Sequence, residues 1–360
     1  MSAGLFEILK AYEGRRVLVT GHTGFKGAWL SFLLNEAGAQ VSGFALEEPG
    51  APAAYTGLGV REILEREEIA DLGTRGSFEK FYAAVAPDLV IHMAAQPLVR
   101  LSYEQPLETL QTNIMGTAYV LDAVRRQKTH TPVLVITTDK CYENREKDYS
   151  YREEDPLGGY DVYSASKAGA EIVASSYRRA FHLPVATARA GNVIGGGDFA
   201  DDRIIPDCVR ALTKGRAPVL RNPASVRPWQ HVLEPLAGYL ELGRRLLDPA
   251  LRAEASDAWN FGPERADAAS VQELVGHFLK AWGEGRWESA GDTGPHEAKL
   301  LMLDSTKSKT HLQWRPHWTV AQAATATAQW YKEFLRQGQK PGSMAALTLR
   351  QAQSYAEGQL

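Results

Sequence analysis

The sequence has few cysteines and little net charge, and both shortages exclude classes of protein. Cys141 and Cys208 are the only cysteines among 360 residues, which excludes a disulfide scaffold and a cysteine-rich zinc site. The chain has 40 Lys and Arg residues against 43 Asp and Glu, so its formal net charge is −3 and its pI is about 6.3. A general nucleic-acid-binding protein carries a basic face and usually a high pI. We therefore expect no nucleic-acid partner.

Long apolar runs are also missing. No stretch of about 18 or more apolar residues occurs, so the sequence predicts no membrane-spanning helix and no membrane partner. The first 16 residues include Glu7, Lys10 and Glu13 and lack the apolar segment of a signal peptide. With 44% hydrophobic residues the chain can still bury a sizeable core. We expect a soluble cytoplasmic protein of about two domains, at roughly 150 residues per domain.

Two common catalytic patterns are absent. The 9 histidines form no His-x-x-x-His pair, and no Gly-x-Ser-x-Gly motif occurs. The sequence therefore predicts neither a bound metal nor a nucleophilic serine.

Short apolar runs alternate with helical segments up to about residue 190. Strands are predicted over residues 16–20, 41–46, 68–71, 88–92, 132–137 and 184–188, and helices over residues 28–37, 78–85, 107–126 and 163–181. Strands joined by helical crossovers are parallel. The pattern predicts an α/β fold with a Rossmann-type doubly wound parallel sheet.

The pattern becomes irregular after Gly191. A glycine-rich break and a proline-bearing loop precede a predicted helix over residues 232–247 and a predicted strand over residues 258–261. We expect residues 1–191 and 229–262 to form the cofactor-binding Rossmann domain. Residues 192–228 and 263–337 would form a smaller, interleaved C-terminal substrate domain. Residues 338–360 read as a polar tail, either a surface helix or disordered.

Three glycines follow the first predicted strand at Gly-x-x-Gly-x-x-Gly spacing. Glycine permits a tight turn and lets a pyrophosphate approach the N-terminus of the next helix. The same spacing also occurs in ordinary glycine-rich turns, but its place between a strand and a helix favours dinucleotide binding. The residues of this candidate cradle are Gly21, Thr23, Gly24, Phe25, Lys26 and Gly27.

The residues after the next strands favour NAD as the cofactor. Glu47 and Glu48 lie where an acidic residue would bind the ribose hydroxyls, and no Arg or Lys is nearby to hold a 2′-phosphate. A solvated loop is the alternative for these glutamates. Further candidate cofactor contacts follow the third and fourth strands: Asp71 and Leu72 near the adenine, and the small Ala94 and Ala95 at the sheet edge.

A Tyr-x-x-x-Lys pattern opens the helix after the fifth strand. Tyr163 and Lys167 are four residues apart and therefore share one helix face. A neighbouring ammonium and a cationic nicotinamide would lower the pKa of the phenol, which makes it a better base. Thr138 closes the fifth strand, and its hydroxyl would hydrogen-bond a substrate oxygen beside the tyrosine.

These motifs resemble those of the extended short-chain dehydrogenase/reductase family. Within it the chain is similar to nucleotide-sugar 4,6-dehydratases, especially the branch that acts on CDP-glucose. The resemblance covers residues 15–320. The matching stretches are VTGHTGFKGAWLS (19–31), HMAAQPLV (92–99), TTDKCYEN (137–144), YREEDPLGGYDVYSASKAGAE (151–171), RAGNVIGGGDFADDRIIPD (189–207) and RPWQHVLEPLAGYL (227–240).

The resemblance implies an NAD-dependent reaction on a CDP-hexose. C4 of the sugar is oxidised, water leaves from C5 and C6, and the hydride returns to C6. Tyr163, with Lys167 and Thr138, would act at the 4-hydroxyl, and Asp139 would be the acid at the 6-hydroxyl. Many relatives have Glu at the next position; here Lys140 would be the C5 base or would stabilise the enolate. A solvated turn is the alternative for residues 139–140.

The resemblance also implies substrate and subunit contacts. The substrate candidates are Asn192, Arg203, Arg221, Arg227, His231 and His296. For the arginines the alternative is a surface charge, and for the histidines it is packing. The helices over residues 107–126 and 163–181 would pair in a homodimer through a four-helix bundle. Other nucleotide-sugar 4,6-dehydratases, a nucleotide-sugar 4-epimerase and a catalytically inactive scaffold protein remain competing hypotheses.

Overall fold

Seven parallel strands form the central sheet of the computed structural model, which describes residues 4–47, 50, 52–145, 148–290, 301–338 and 340–359. The strands are β1 (Arg16–Thr20), β2 (Gln40–Ala45), β3 (Arg66–Ile69), β4 (Leu89–His92), β5 (Val133–Ile136), β6 (Val185–Ala190) and β7 (Ala258–Phe261). Their order across the sheet is β7-β6-β5-β4-β1-β2-β3, and every pair is parallel. The order reverses between β1 and β4, which confirms the predicted Rossmann-type doubly wound sheet.

Helices cover both faces of this sheet. The longer ones are α1 (Phe25–Glu36), α2 (Ser77–Val85), α3 (Gly116–Gln127), α4 (Val162–Phe181), α5 (Ile204–Leu212), α6 (Leu233–Leu247), α7 (Val271–Trp282), α8 (Val320–Gln337) and α9 (Ala345–Ala356). Apolar residues of α1 and α6 share one buried cluster with strand residues, and those of α2, α3 and α4 share another. Within the described residues, no helix is both long enough and apolar enough to cross a membrane.

Short elements connect these helices and strands. The short helical segments are Leu5–Leu9, Lys10–Tyr12, Ala54–Gly57, Val60–Ile63, Val99–Glu104, Pro106–Leu110, Gln111–Met115, Asp139–Cys141, Arg252–Ala255, Arg265–Asp267 and Ser308–Leu312. The two-residue strand pairs are Ser150–Tyr151 with Met302–Leu303, Val193–Ile194 with Gln230–His231, Val219–Leu220 with Glu288–Ser289, and Val226–Arg227 with Ala269–Ser270. Most of these pairs join residues after β6 to residues from further along the chain.

Some predicted boundaries differ from the structure. The first helix begins at Phe25 and not at residue 28, because Gly24 is already its extended N-cap residue. The third strand covers Arg66–Ile69 and not residues 68–71. It lies at the sheet edge and is polar, so no apolar pattern marks where it begins.

The segment predicted as a polar tail contains α9, which packs against the rest of the protein. Its buried residues include Gln351 and Tyr355. The Gln351 amide donates to the carbonyl of Ala326 at 2.8 Å, and the Tyr355 hydroxyl donates to Glu234 at 2.8 Å. Of the two alternatives for the tail, the structure shows a helix. The Gln351 amide nitrogen and the Tyr355 hydroxyl are thus buried with hydrogen-bond partners.

Candidate active site

The glycine-rich turn after β1 has no room for a side chain at Gly21 or Gly27. Gly21 has φ +76°, and a Cβ there would lie 2.7 Å from the backbone nitrogen of Ala94. A Cβ on Gly27 would lie 2.1 Å from the Gly21 carbonyl oxygen. Among the described residues no side chain caps the N-terminus of α1, so its first amide groups are free to bind an anion. The turn therefore fits the pyrophosphate of a dinucleotide.

The side chains of the other candidate cradle residues contact three different parts of the protein. The Thr23 hydroxyl donates to the Leu46 carbonyl at 3.0 Å and thereby fixes the turn to the end of β2. Phe25 packs against the glycine-rich segment, since a Cβ on Gly195 would lie 2.9 Å from its ring. The Nζ of Lys26 lies 5.8 Å from the centre of the Tyr239 ring.

The candidate adenosine contacts lie at the carboxyl ends of β2, β3 and β4. Asp71 is exposed and accepts a hydrogen bond from the Gly73 amide at 2.7 Å. Leu72 is buried, whereas Ala94 and Ala95 are half-buried at the sheet edge. Glu47 is exposed; Glu48 lies outside the described residues. Small and acidic groups along this edge fit the adenosine end of NAD.

The turn after β5 holds the candidate acid. Thr138 caps the short helical segment Asp139–Cys141, and its hydroxyl donates to Asp139 Oδ1 at 2.9 Å. Asp139 is 2% exposed, and its Oδ2 has no hydrogen-bond partner among the described residues. Burial raises the pKa of this carboxyl group, although Lys140 and the Thr138 hydroxyl act in the opposite direction. Asp139 therefore remains protonated to a higher pH than an ordinary aspartic acid.

Helix α4 brings Tyr163 and Lys167 to the same place. Asp161 caps the helix by accepting a hydrogen bond from the Ser164 amide at 2.9 Å. Tyr163 is 8% exposed, and the Thr138 hydroxyl acts to lower the pKa of its phenol. The Lys167 ammonium donates to the Ile136 carbonyl at 3.2 Å, at the end of β5.

The pKa values of these two groups differ from the expectation that Lys167 lowers that of Tyr163. Burial raises the pKa of Tyr163 to about 12, and this effect outweighs the lowering by Thr138 and Arg203. Burial also lowers the pKa of Lys167 to about 8. The side chains alone thus keep the phenol protonated at neutral pH. The positive charge of NAD⁺, when bound, favours its ionisation.

A buried ion pair, which was not predicted from the sequence, joins α4 to β6. Arg189 on β6 and Glu171 on α4 are 2.8 Å apart and almost completely buried. Glu171 also accepts hydrogen bonds from Thr137 at 2.5 Å and Thr187 at 2.7 Å. Two signals were present in the sequence: a charged residue directly after the predicted strand over residues 184–188, and a glutamate one helical turn after Lys167. The pair fixes α4 against β5 and β6.

The candidate substrate residues fall into two groups. Arg203 and Arg227 act electrostatically on the catalytic residues, since Arg203 lowers the pKa of Tyr163 and Arg227 lowers that of Asp139. Arg203 also pairs with Asp198 at 3.2 Å. Asn192 follows β6 and is half-buried, and its carbonyl accepts from the Gln230 amide at 3.0 Å.

Arg221 forms an ion pair with an aspartate, and His231 lies in the aromatic core. Arg221 pairs with Asp202 at 3.0 Å, and Asp202 also pairs with Arg100 at 3.2 Å. His231 has no exposed surface and packs between Trp29 and Trp318, with ring centres 5.7 and 4.9 Å away. The expectation that His231 contacts substrate is therefore wrong, because the aromatic core encloses the ring. His296 lies outside the described residues.

Comparison with known proteins gives a family and several relatives. The model of the NAD dependent epimerase/dehydratase family matches residues 17–245. The chain is 45% identical to the CDP-glucose 4,6-dehydratase of Salmonella typhimurium over 338 residues, which cover 90% of this chain and 92% of that protein. It is 31% identical to the dTDP-glucose 4,6-dehydratase of Streptomyces griseus over 326 residues, or 88% of this chain and 93% of that one.

Solved structures share the architecture. DesIV, a dTDP-glucose 4,6-dehydratase from Streptomyces venezuelae with NAD and TYD bound, aligns with a TM-score of 0.75 at 25% identity. The alignment covers 88% of this chain and 97% of DesIV. A UDP-galactose 4-epimerase aligns with a TM-score of 0.73 at 25% identity, covering 89% of this chain and 99% of the epimerase. The same fold thus serves both dehydration and epimerisation.

Proposed function

The chain belongs to the NAD-dependent epimerase/dehydratase family, and on that premise we propose that it acts as a CDP-glucose 4,6-dehydratase. The reaction converts CDP-D-glucose to CDP-4-dehydro-6-deoxy-D-glucose and water. The observation that carries this proposal is the buried Asp139 carboxyl group beside Thr138 and Tyr163. A 4-epimerase needs the tyrosine and the lysine but no acid at the 6-hydroxyl.

Oxidation at C4 depends on Tyr163, Thr138 and Lys167. NAD, held by the glycine-rich turn and the N-terminus of α1, would supply the hydride acceptor for C4 and the hydride donor for C6. Tyr163 removes the proton of the 4-hydroxyl group, and Thr138 hydrogen-bonds to the same oxygen. Lys167 is held against the end of β5 by its hydrogen bond to the Ile136 carbonyl, and Thr138 and Arg203 favour the phenolate of Tyr163. The resulting ketone acidifies the proton on C5.

Elimination depends on Asp139 and Lys140. Asp139 donates its proton to the 6-hydroxyl group so that water can leave, and its raised pKa keeps that proton available. Lys140 is the adjacent residue, and its positive charge acts on Asp139. We assign Lys140 to C5, either as the base or as the cation that stabilises the enolate.

A panel of CDP-, dTDP-, GDP- and UDP-hexoses tests the proposal when the products are read by mass spectrometry. We expect CDP-glucose to give a product lighter by one water, without net formation of reduced cofactor. Tyr163→Phe is the matched control, because it retains the ring but removes the base. An isobaric product would instead indicate an epimerase, and a preference for another nucleotide would reject the substrate assignment.

We also propose that the protein is a homodimer. Leu107, Met115 and Ile172 are large apolar residues with exposed fractions of 74%, 40% and 60%. They lie on α4 and on the helical segments that lead into α3, which are the elements predicted to pair in a four-helix bundle. An apolar surface of this kind marks an interaction site.

The two free, buried cysteines Cys141 and Cys208 support a reducing compartment, and we propose the cytoplasm.

A further inference from the structure

One buried ion pair holds both ends of the turn that follows β5. The Glu171 carboxylate accepts a hydrogen bond from the Thr137 hydroxyl at 2.5 Å, at the start of the turn. The Arg189 guanidinium pairs with Glu171 at 2.8 Å and donates to the Tyr142 hydroxyl at 2.7 Å, at the end of the turn. Residues 138–141, which include the candidate acid, lie between these two contacts.

The ion pair also connects the turn to the helix of the catalytic tyrosine. Glu171 lies on α4, about one helical turn after Lys167 and two after Tyr163. The Lys167 ammonium donates to the carbonyl of Ile136, the last residue of β5. Helix α4 thus contacts the start of the turn directly, whereas its ion pair reaches the end of the turn through Arg189.

The Tyr142 hydroxyl joins the end of the turn to two strands. It accepts from Arg189 on β6 and donates to Oδ1 of Asn260 on β7 at 2.8 Å. The Arg189 guanidinium also lies 4.9 Å from the centre of the Tyr142 ring. Tyr142 is 1% exposed, so removing either partner leaves a polar group buried without its hydrogen bond.

The candidate acid lies against the end of β6. Gly191 directly follows this strand, two residues after Arg189. A Cβ on Gly191 would lie 3.2 Å from Asp139 Oδ2 and 2.8 Å from the Pro228 ring. The Asp139 carboxyl group is therefore enclosed close to the same strand that holds Tyr142, and a shift of the turn against β6 displaces it.

We propose that Tyr142 is a positioning residue for the elimination step: its hydroxyl, held by Arg189 and Asn260, keeps Asp139 in place to protonate the 6-hydroxyl group. The proposal rests on the proposed function. Tyr142 acts through Asp139 and takes no part in the proton transfer itself. Misplacement of an acid by about 1 Å is enough to slow a reaction about 100-fold.

Tyr142→Phe tests this role, because it removes one hydroxyl group and keeps the ring. The start of the turn retains its bonds to Glu171 and Lys167, so we expect oxidation at C4 to keep its wild-type rate. Elimination should slow by about 10- to 100-fold. Single turnover of CDP-glucose, followed by stopped-flow absorbance and mass spectrometry, should show that reduced cofactor and 4-keto hexose accumulate before the product forms.

Tyr82→Phe is the matched control. Tyr82 is also buried, and its hydroxyl contacts Thr129 at 2.6 Å and Thr131 at 2.9 Å, before β5 and hence at the opposite end of that strand. We expect this variant to convert CDP-glucose without accumulation of reduced cofactor. Accumulation in both variants overturns the proposal, as does wild-type elimination or equal slowing of both steps in Tyr142→Phe.

Arg189→Lys provides a second variant if Tyr142→Phe does not fold. It keeps a positive charge beside Glu171, but an ammonium lacks the planar fork that bridges Glu171 and Tyr142. We expect the same accumulation of reduced cofactor. Wild-type partition between oxidation and elimination in this variant would overturn the proposal.

Hydrogen exchange of the full-length protein measures the same role without substrate. In Tyr142→Phe we expect the amides of residues 139–143 to exchange about five- to tenfold faster, as for loss of one hydrogen bond. The Thr137 amide, which donates to the Ala188 carbonyl at 2.9 Å, should be unchanged. Wild-type exchange of residues 139–143 overturns the proposal. If the wild type does not convert CDP-glucose, the proposed function fails, whereas hydrogen exchange still decides whether Tyr142 holds the turn.

Discussion

Asp139 combines two properties that ordinary surface carboxyl groups lack. Its side chain is almost completely buried, and one oxygen has no hydrogen-bond partner among the described residues. Burial raises its pKa, so the neutral acid is available as a proton donor at a pH where an exposed aspartate is ionised. This property links a single residue to the elimination step of the proposed reaction.

Replacing Asp139 separates oxidation from elimination. Asp139→Asn retains the shape of the side chain but has no acidic proton to donate. We expect oxidation at C4 to continue and loss of water to slow by about 100-fold or more, the usual contribution of a general acid. Stopped-flow absorbance should show reduced cofactor that persists, and mass spectrometry should show little product. Product formation at the wild-type rate would contradict the role of Asp139.

The Glu171–Arg189 pair should matter for stability far more than a surface pair. Glu171→Gln leaves the buried Arg189 charge without its counterion, which costs about 3–5 kcal/mol of unfolding free energy. Asp88→Asn is the matched control, because the Arg16–Asp88 pair is partly exposed and contributes about 1 kcal/mol or less. Denaturant unfolding of both variants measures the difference. Equal losses would show that burial does not govern the pair.

At the scale of elements, a buried carboxyl group joins α6 to α9. Glu234 on α6 accepts the amides of His317 and Trp318 at 3.0 and 2.7 Å, and the Tyr355 hydroxyl at 2.8 Å. Tyr355 belongs to α9, so this one side chain anchors the C-terminal helix. Burial raises the pKa of Glu234 to about 7 despite these donors.

The raised pKa of Glu234 predicts a dependence of stability on pH. The folded state binds this proton more tightly than the unfolded state, in which the glutamate has its ordinary pKa of 4.5. The contribution is therefore complete below about pH 4.5 and is lost as the pH rises to about 7. The total is about 3 kcal/mol.

Thermal or denaturant unfolding between pH 4.5 and 7.5, about the span of the two pKa values, measures this dependence. Glu234→Gln does not titrate, so we expect its unfolding free energy to change less across the range than that of the wild type. The same pH slope in both proteins would contradict the assignment to Glu234.

The elements that were predicted correctly are those with a strong local signal in the sequence. Strand β5 is apolar throughout and β4 is apolar up to His92, because both sheet faces are covered. The glycine spacing identified the turn before α1. The burial of α9 was not predictable, because its polar residues are buried through long-range partners. His231 was misassigned for a similar reason: its enclosing tryptophans are 202 and 87 residues away in sequence.

Part of the candidate site could also be predicted from the local sequence. Tyr163 and Lys167 share a helix face by spacing, and Thr138 and Asp139 follow directly from β5. The position of Lys26 near the Tyr239 ring depends on how α1 and α6 pack against the sheet. No local pattern contains that information.

At the scale of the whole molecule, exposed apolar residues on α4 and on the segments before α3 suggest the proposed dimer. Ile172→Glu places a charge on this surface without changing a buried contact, since Ile172 is 60% exposed. We expect the variant to be a monomer with an unfolding free energy close to that of a single wild-type subunit. Light scattering after size exclusion measures the mass. A dimer in the variant, or a monomeric wild type, would contradict the proposed interface.

The central claim is that the hydride removed from C4 returns to C6 of the same sugar while one water leaves. The most direct measurement uses CDP-glucose that carries deuterium at C4, with the product read by mass spectrometry and NMR. The account predicts a product lighter by one water with the deuterium at C6. Deuterium retained at C4, or found in free reduced cofactor, would contradict it.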